Sequence, residues 1–318
     1  MNISRRTLGR SRLQVSALAL GTVEIGLNYG IQTSDHAGRP PEQAAIRLIH
    51  AALDAGINLI DTARDYGVSE SILGKALRQR RSQAILATKV NLLPAEIQRL
   101  GSRQLRQRML NTLDISLREL RTDYVDIWQI HNVTAEILAR AEEVADVFAT
   151  ARRAGKIRWT GGSFYGAELP LAALDLDLFD AMQVTYSVLD RRIEEQVLSR
   201  AQQQNVGIVV RSVLLKGVLT ARADHLPTRL HALTVASQRF RQIIVDAGLP
   251  ASPAQAAVAF ALAHPHIGAV LVGMGSVAEL EDNLQAAALQ LPPDVLEQLA
   301  ALKLTDETLL NPGTWGIP

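Results

Sequence analysis

Short runs rich in valine, isoleucine and leucine alternate with longer stretches of helical periodicity from one end of the chain to the other. Eight strand candidates stand out: SALALGT, NLIDTA, AILATKV, YVDIWQIH, IRWTGGSF, AMQVTY, VGIVVRSV and AVLVGM. They do not alternate cleanly between apolar and polar residues, as expected of strands buried on both faces. A helix-length segment precedes or follows each one. The pattern therefore predicts an α/β fold, a (β/α)8 TIM barrel of roughly 250 residues plus additions.

The intervening helices carry their own start and stop signals. PEQAAIRLIHAALDAG begins on proline, ends on glycine and sets Ile46, Ile49, Ala52 and Leu53 on one face. SESILGKALRQR opens on Ser69 and is expected to hold Arg78 and Arg80 in its last turn, where cations suit the helix dipole. Residues 1–15, with RRTLGRSRLQV turning at Gly9, read as a hairpin covering the bottom of the barrel. Two long polar loops, GLNYGIQTSDHAGRPP after the first strand and KGVLTARADHLPTRL after the seventh, belong to the strand-exit rim, where loops contribute to function. Residues 292–318 add one helix and an irregular end, NPGTWGIP, so that residues 1–318 form a single barrel domain.

Composition narrows the range of partners. With 318 residues, 47% hydrophobic and 20% charged, the chain can bury a large core. A net charge of +1, no basic block and 4% aromatic residues leave no groove or stacking platform for nucleic acid, so a small, near-neutral ligand is expected. The chain has no cysteine, which confines its chemistry to oxygen and nitrogen groups. MNISRRTLGRSRLQ lacks the apolar core of a secretory signal, and no stretch approaches about twenty uninterrupted apolar residues. A cytoplasmic protein is the expectation. The near-neutral charge favours neither monomer nor assembly.

Asp61, Tyr66, Lys89 and His131 sit where successive apolar runs give out. In a parallel barrel the strand exits converge on one pocket, which would bring an acid, a phenol, an amine and an imidazole together. A tyrosine with a reference pKa of about 10 works better as a general acid near neutrality if it is brought down by about three units, roughly 4 kcal/mol. One cation at about 4 Å, at an effective dielectric near 20, supplies that much, so Lys89 alone is expected to tune Tyr66. Asp61 would keep Lys89 charged, and His131 would donate to a carbonyl oxygen or share in proton relay. Taken singly, Asp61 also reads as a cap, and Tyr66 and His131 as packing. Lys89 does not, because lysine in an apolar strand is seldom buried without a partner.

With Asp and Tyr in GINLIDTARDYGVSESILGKAL, Lys in ATKV and His in IWQIH, the chain resembles the aldo-keto reductase family, from LGRSRLQVSALALGT through LEDNLQA. The resemblance implies that Tyr66 protonates a carbonyl oxygen while NAD(P)H delivers hydride to the carbon. Lys89 and Asp61 would tune the phenol and His131 would orient the carbonyl, with no metal.

Gly273, Gly275 and Ala278 form G-x-G-x-x-A after the run AVLV. A Rossmann unit would need a further strand and an acidic residue about twenty positions on, and only an amphipathic helix and a tail remain beyond Ala278. A barrel phosphate site at the last strand exits and a helix N-terminus fits better. By resemblance, Ser163 and Gln183 would hold the nicotinamide carboxamide. Ser212, Leu214 and Lys216 would cover the pyrophosphate, Asn283 would contact adenine, and Thr22 and Ser276 complete the set. The family's usual Ser-Asn pair reads Ser163-Phe164 here, which removes one hydrogen-bonding group. Arg211 replaces a stacking tyrosine, with a rim salt bridge as its other reading. Family resemblance implies NADP(H), yet the segment 273–283 holds no basic residue, and Glu279 would repel a 2′-phosphate while accepting from a free 2′-hydroxyl. NAD(H) use is the alternative, unless Arg222 reaches over from the seventh loop.

Substrate contacts are expected from Val23, Glu24, Tyr29, Asn91 and Trp315. Polar Glu24, Asn28 and Asn91 would suit a sugar or hydroxylated aldehyde, and Trp128 and Phe164 an aromatic one. Two other readings stay open: a cofactor-binding regulatory subunit with little turnover, and a barrel enzyme using Lys89 as a Schiff-base amine.

Overall fold

The computed structural model describes residues 3–31 and 38–317, so the middle of the first expected rim loop lies outside it. Two short antiparallel strands, β1 (Arg5–Leu8) and β2 (Leu13–Ser16), precede the barrel. The barrel strands are β3 (Leu18–Gly21), β4 (Leu59–Asp61), β5 (Ile85–Val90), β6 (Val125–Ile130), β7 (Ile157–Phe164), β8 (Ala181–Thr185), β9 (Gly207–Arg211) and β10 (Ala269–Gly273). All eight pair in parallel in chain order, and β10 closes on β3. Each matches one expected apolar run.

Alternation along each strand divides the side chains between two layers. In β6, Ile127 points into the barrel with Ala19, Leu59, Ala87, Ala181 and Ala269. Trp128 and Ile130 join the larger core between strands and helices instead. The alanines leave room at the bottom of the barrel, and the hairpin fills it: Leu8 and Val15 are fully buried in that inner cluster. A Cβ on Gly207 would lie 2.6 Å from Leu8 Cγ, so glycine there is what admits the plug. Gly9, at φ +49°, makes the turn, and a side chain there would strike the backbone of Asn205–Gly207. Arg6 fastens the hairpin by donating to the carbonyls of Ile267 and Leu262, both at 2.7 Å.

Three local expectations change. In the helix Glu42–Asp54 the buried face is Ala45, Leu48, Ile49, Ala52 and Leu53, and Ile46 sits at its edge, because a span of 3.6 residues per turn centres the stripe on Leu48 and Ile49. The next helix ends at Ala76, so Arg78 and Arg80 lie beyond it, with Arg80 turned onto Asp54. The rim segment after β9 is not a plain loop: it coils into short 3₁₀ turns at Leu215–Gly217, Ala221–His225 and Thr228–Leu230. Among the described residues, no helix is long and apolar enough to cross a membrane.

Candidate active site

Strand register assembles the site before any side-chain detail matters. Lys89 of β5 lies beside Gln129 of β6, and Ser163 of β7 beside Gln183 of β8. All four point into the barrel at its exit end, where β4 delivers Asp61. Tyr66 comes next in a tight turn, with its N–H on the Ala63 carbonyl at 3.1 Å. That turn packs against the chain leaving β3 so closely that a Cβ on Gly26 would lie 1.9 Å from the Tyr66 carbonyl oxygen. Ser69, expected to open the next helix as a cap, instead donates to Thr22 Oγ1 at 2.7 Å and shares a hydrogen bond with Thr62 at 2.9 Å. Thr22 in turn donates to the Asp61 carbonyl at 2.9 Å, so hydroxyls stitch the exits of β3 and β4 together.

Lys89 is 1% exposed and Asp61 2%. The ammonium is ion-paired with Asp61 Oδ2, donates to the Thr62 carbonyl at 3.0 Å and lies 3.5 Å from the Tyr66 hydroxyl. Asp61 Oδ1 accepts from the amides of both Gln129 and Gln183, each at 2.9 Å. One carboxylate is thus held by an ammonium and two amides. Gln129 escaped the sequence reading, although a glutamine inside the apolar run VDIWQI, two residues after inward-facing Ile127, was the signal for it.

Burial is the largest influence on Lys89, Tyr66 and His131. It pushes the Lys89 ammonium down, with Asp61 opposing it. It pushes the Tyr66 phenol up, and the Asp61 carboxylate adds to the rise. This corrects the expectation that one cation tunes the tyrosine alone: the Coulomb estimate omitted both desolvation and the carboxylate behind the lysine. The resting phenol stays protonated. His131 meets Tyr66 edge to face, with centroids 5.4 Å apart, and burial pushes its imidazole down. Asp65, also missed, faces His131 Nδ1 at 3.6 Å, too far for a hydrogen bond but close enough to pull the imidazole partly back up. Nδ1 itself is buried, with no hydrogen-bond partner among the described residues.

A family model described as "Aldo/keto reductase family" matches residues 17–303. The chain belongs to that family. It is similar to an uncharacterised oxidoreductase, YrpG, of Bacillus subtilis, at 31% identity over 92% of this chain and 93% of that one. It is also similar to L-galactose dehydrogenase of Arabidopsis thaliana, at 29% identity over 96% and 92%. Among solved structures, the holo form of aldo-keto reductase AKR11C1 from Bacillus halodurans superposes with a TM-score of 0.75, at 27% identity over 95% and 96% of the two chains. Membership makes this chain an oxidoreductase barrel.

A cavity of about 460 Å³ opens at the rim and is lined by Asp61, Tyr66 and His131 on one side and by Gly273, Glu279 and Asn283 on the other. The residues between fit a nicotinamide dinucleotide. Gln183 borders the cavity, and its buried Oε1 has no hydrogen-bond partner among the described residues, an acceptor suited to an amide such as a carboxamide. Ser163 is there too, but its Oγ accepts from Arg211 Nε at 3.2 Å. Arg211 borders the cavity as well, its guanidinium 4.2 Å over the Tyr165 ring and donating to the Phe164 carbonyl at 3.2 Å. Ser212 and Leu214 line the cavity. Lys216 lines it as well, yet its ammonium donates to the Ile317 carbonyl at 2.7 Å and ties down the tail. Ser276 caps the helix Val277–Ala288 by accepting from the Glu279 N–H at 3.2 Å, and Asn283 donates to the Glu279 carbonyl at 2.7 Å. Arg222 does reach over, to 3.2 Å from Glu279.

Other expectations fail on strand parity. Trp128 and Phe164 are 0% and 1% exposed and pack edge-on against Phe148 and Phe179 in the outer layer, so neither faces a substrate. The hydrogen-bonding position after Ser163 therefore points away from the cavity. Trp315 is buried, its indole donating to the Thr308 carbonyl at 3.3 Å. Glu24 lines the cavity on its glycine side, over Gly273.

Proposed function

We propose that this chain reduces the carbonyl of a small hydroxylated aldehyde or ketone with NAD(P)H, using Tyr66 as the proton donor. The observation that carries this reading is the fully buried Lys89, paired with Asp61 and 3.5 Å from the Tyr66 hydroxyl at the floor of the cavity. A bound nicotinamide dinucleotide supplies the hydride. Burial keeps the Tyr66 phenol protonated until a carbonyl oxygen takes its proton. The phenolate then forms beside the Lys89 ammonium, whose charge stabilises it far more at that point than in the resting state. Asp61, fixed by Gln129 and Gln183, holds the ammonium in place. His131, kept largely neutral by burial, turns an N–H toward the same carbonyl oxygen and orients it. Ser163 and Gln183 would hold the carboxamide of the dinucleotide.

The name of L-galactose dehydrogenase, together with Tyr29 on the cavity wall, supports a polyhydroxylated substrate. Arg222 beside Glu279 offsets the carboxylate that would repel a 2′-phosphate, so both NADH and NADPH are used, without the strong NADP(H) bias expected from family resemblance. The test is oxidation of each reduced cofactor, followed by its absorbance, against a carbonyl panel of 4-nitrobenzaldehyde, short aldoses and hydroxylated aldehydes. Turnover that persists in Tyr66→Phe overturns the proton donor. A preference for NADPH above about a hundredfold, near 3 kcal/mol, overturns the dual-cofactor reading. Tight dinucleotide binding with no turnover across the panel would mark a binding subunit instead.

A further inference from the structure

The glycines of the G-x-G-x-x-A segment do not leave an empty cradle. β10 pairs with β3 so that Gly273 lies beside Gly21, and the turn Val23–Gly26 beyond β3 carries Glu24 directly over Gly273. A Cβ built on Gly273 would sit 2.7 Å from Glu24 Oε1, and one on Gly275 would sit 3.7 Å from Glu24 Oε2 and 3.6 Å from Glu279 Oε2. The Gly275 N–H, a donor of the kind that holds a phosphate at a helix N-terminus, goes to Glu279 Oε2 at 2.7 Å. Glu279 also meets Arg222 at 3.2 Å. Gly21, Glu24, Arg222, Gly273 and Glu279 all line the cavity that reaches Tyr66. Two carboxyls therefore stand where the sequence placed an anion site.

We propose that Glu24 is a proton-linked gate on the cofactor's phosphate site: the dinucleotide binds when the Glu24 carboxyl is neutral, so that binding takes up one proton. This rests on the dinucleotide reading above. The physical reason is like-charge contact, since an ionised Glu24 would face a phosphate beside a second carboxylate, Glu279, with Arg222 offsetting the pair in part. Among the described residues, the groups that act on Glu24 come from three elements: Glu279 on the helix after β10, Arg222 in the segment after β9, and Tyr29 on the chain beyond Glu24 itself. Burial first, then Glu279, push the Glu24 carboxyl up to about 7, with Arg222 pulling the other way. The gate therefore changes state close to neutrality, where a carboxylate in water would long have been ionised.

The experiment measures Kd for NADH, whose pyrophosphate does not titrate in the range, by quenching of tryptophan fluorescence from pH 6 to pH 8.5. With the carboxyl titrating near 7, wild-type affinity is about tenfold weaker at pH 8 than at pH 6. Glu24→Gln, an isosteric change whose fold is verified by thermal unfolding, binds NADH tightly at pH 8 with a profile flat to within about twofold. Arg222→Met moves the wild-type break to higher pH, because it removes the cation that favours the charged form. Glu24→Gln retaining the tenfold slope overturns the gate, and so does a flat wild-type profile with NADH bound. Binding of neither NADH nor NADPH at any pH overturns the cofactor reading and the gate with it.

Discussion

Replacing Lys89 by methionine keeps the length of the side chain and removes its charge, leaving Asp61 buried with no cation against it. Both partners are almost fully buried, the situation in which deleting one member of an ion pair costs about 3–5 kcal/mol, because the other remains desolvated and unpaired. Gln129 and Gln183 still donate to Asp61 at 2.9 Å, so the lower end, about 3 kcal/mol, is expected. For a chain of this size that lowers the unfolding midpoint by about 6 °C, at roughly 2 °C per kcal/mol. Asp61→Asn added to Lys89→Met removes the orphaned charge, and the double variant should recover to within about 1 kcal/mol of wild type. Urea unfolding of wild type, both single variants and the double variant closes the cycle, and carbonyl reduction is measured on the same samples. Stability returns in the double variant while activity does not, because the developing Tyr66 phenolate has lost its cation. If the two single losses simply add in the double variant, Lys89 and Asp61 do not stabilise one another, and the account of the site's floor is wrong.

Tyr66→Phe keeps the edge contact with His131 and should lower kcat by about 10²–10⁴ with NADH affinity unchanged; a loss smaller than about tenfold removes the phenol from the chemistry. Burial depresses the folded-state affinity of His131 for a proton, so the unfolded chain binds a proton that the folded one resists, and stability falls as pH drops below about 6.5. Asp65→Asn removes the upward pull on that imidazole and should steepen the fall between pH 7.5 and pH 5.0, read from urea midpoints; an unchanged difference would show that the 3.6 Å contact carries no coupling. At the opposite end of the barrel, Leu8→Ala opens a hole against Gly207 and Gly268 and should cost about 2–5 kcal/mol without altering KM, and a loss below about 1 kcal/mol would mean the hairpin does not plug the core.

The periodic repeat, its eight strands, the hairpin plug and the exits that carry Asp61, Tyr66, Lys89 and His131 were all legible along the chain, because they depend on local signals: the period of a segment and the residue that ends an apolar run. Parity was not read along the chain, because these strands are apolar on both faces; the closed barrel showed that Ile127 and Gln129 face in while Trp128 faces out. Tertiary structure settled whatever depends on two distant segments meeting. Desolvation of Tyr66 and Lys89 is a property of the closed barrel, and it reversed the direction expected from one cation beside one phenol. Arg211 lies over Tyr165 at the edge of the cavity because the ends of β9 and β7 come together at the rim. Glu24 lies on Gly273 because the last strand closes on the first, a contact between residues nearly 250 positions apart. No pattern along the chain records such a pairing, since period and spacing report which element a residue belongs to and only closure fixes what its side chain points at.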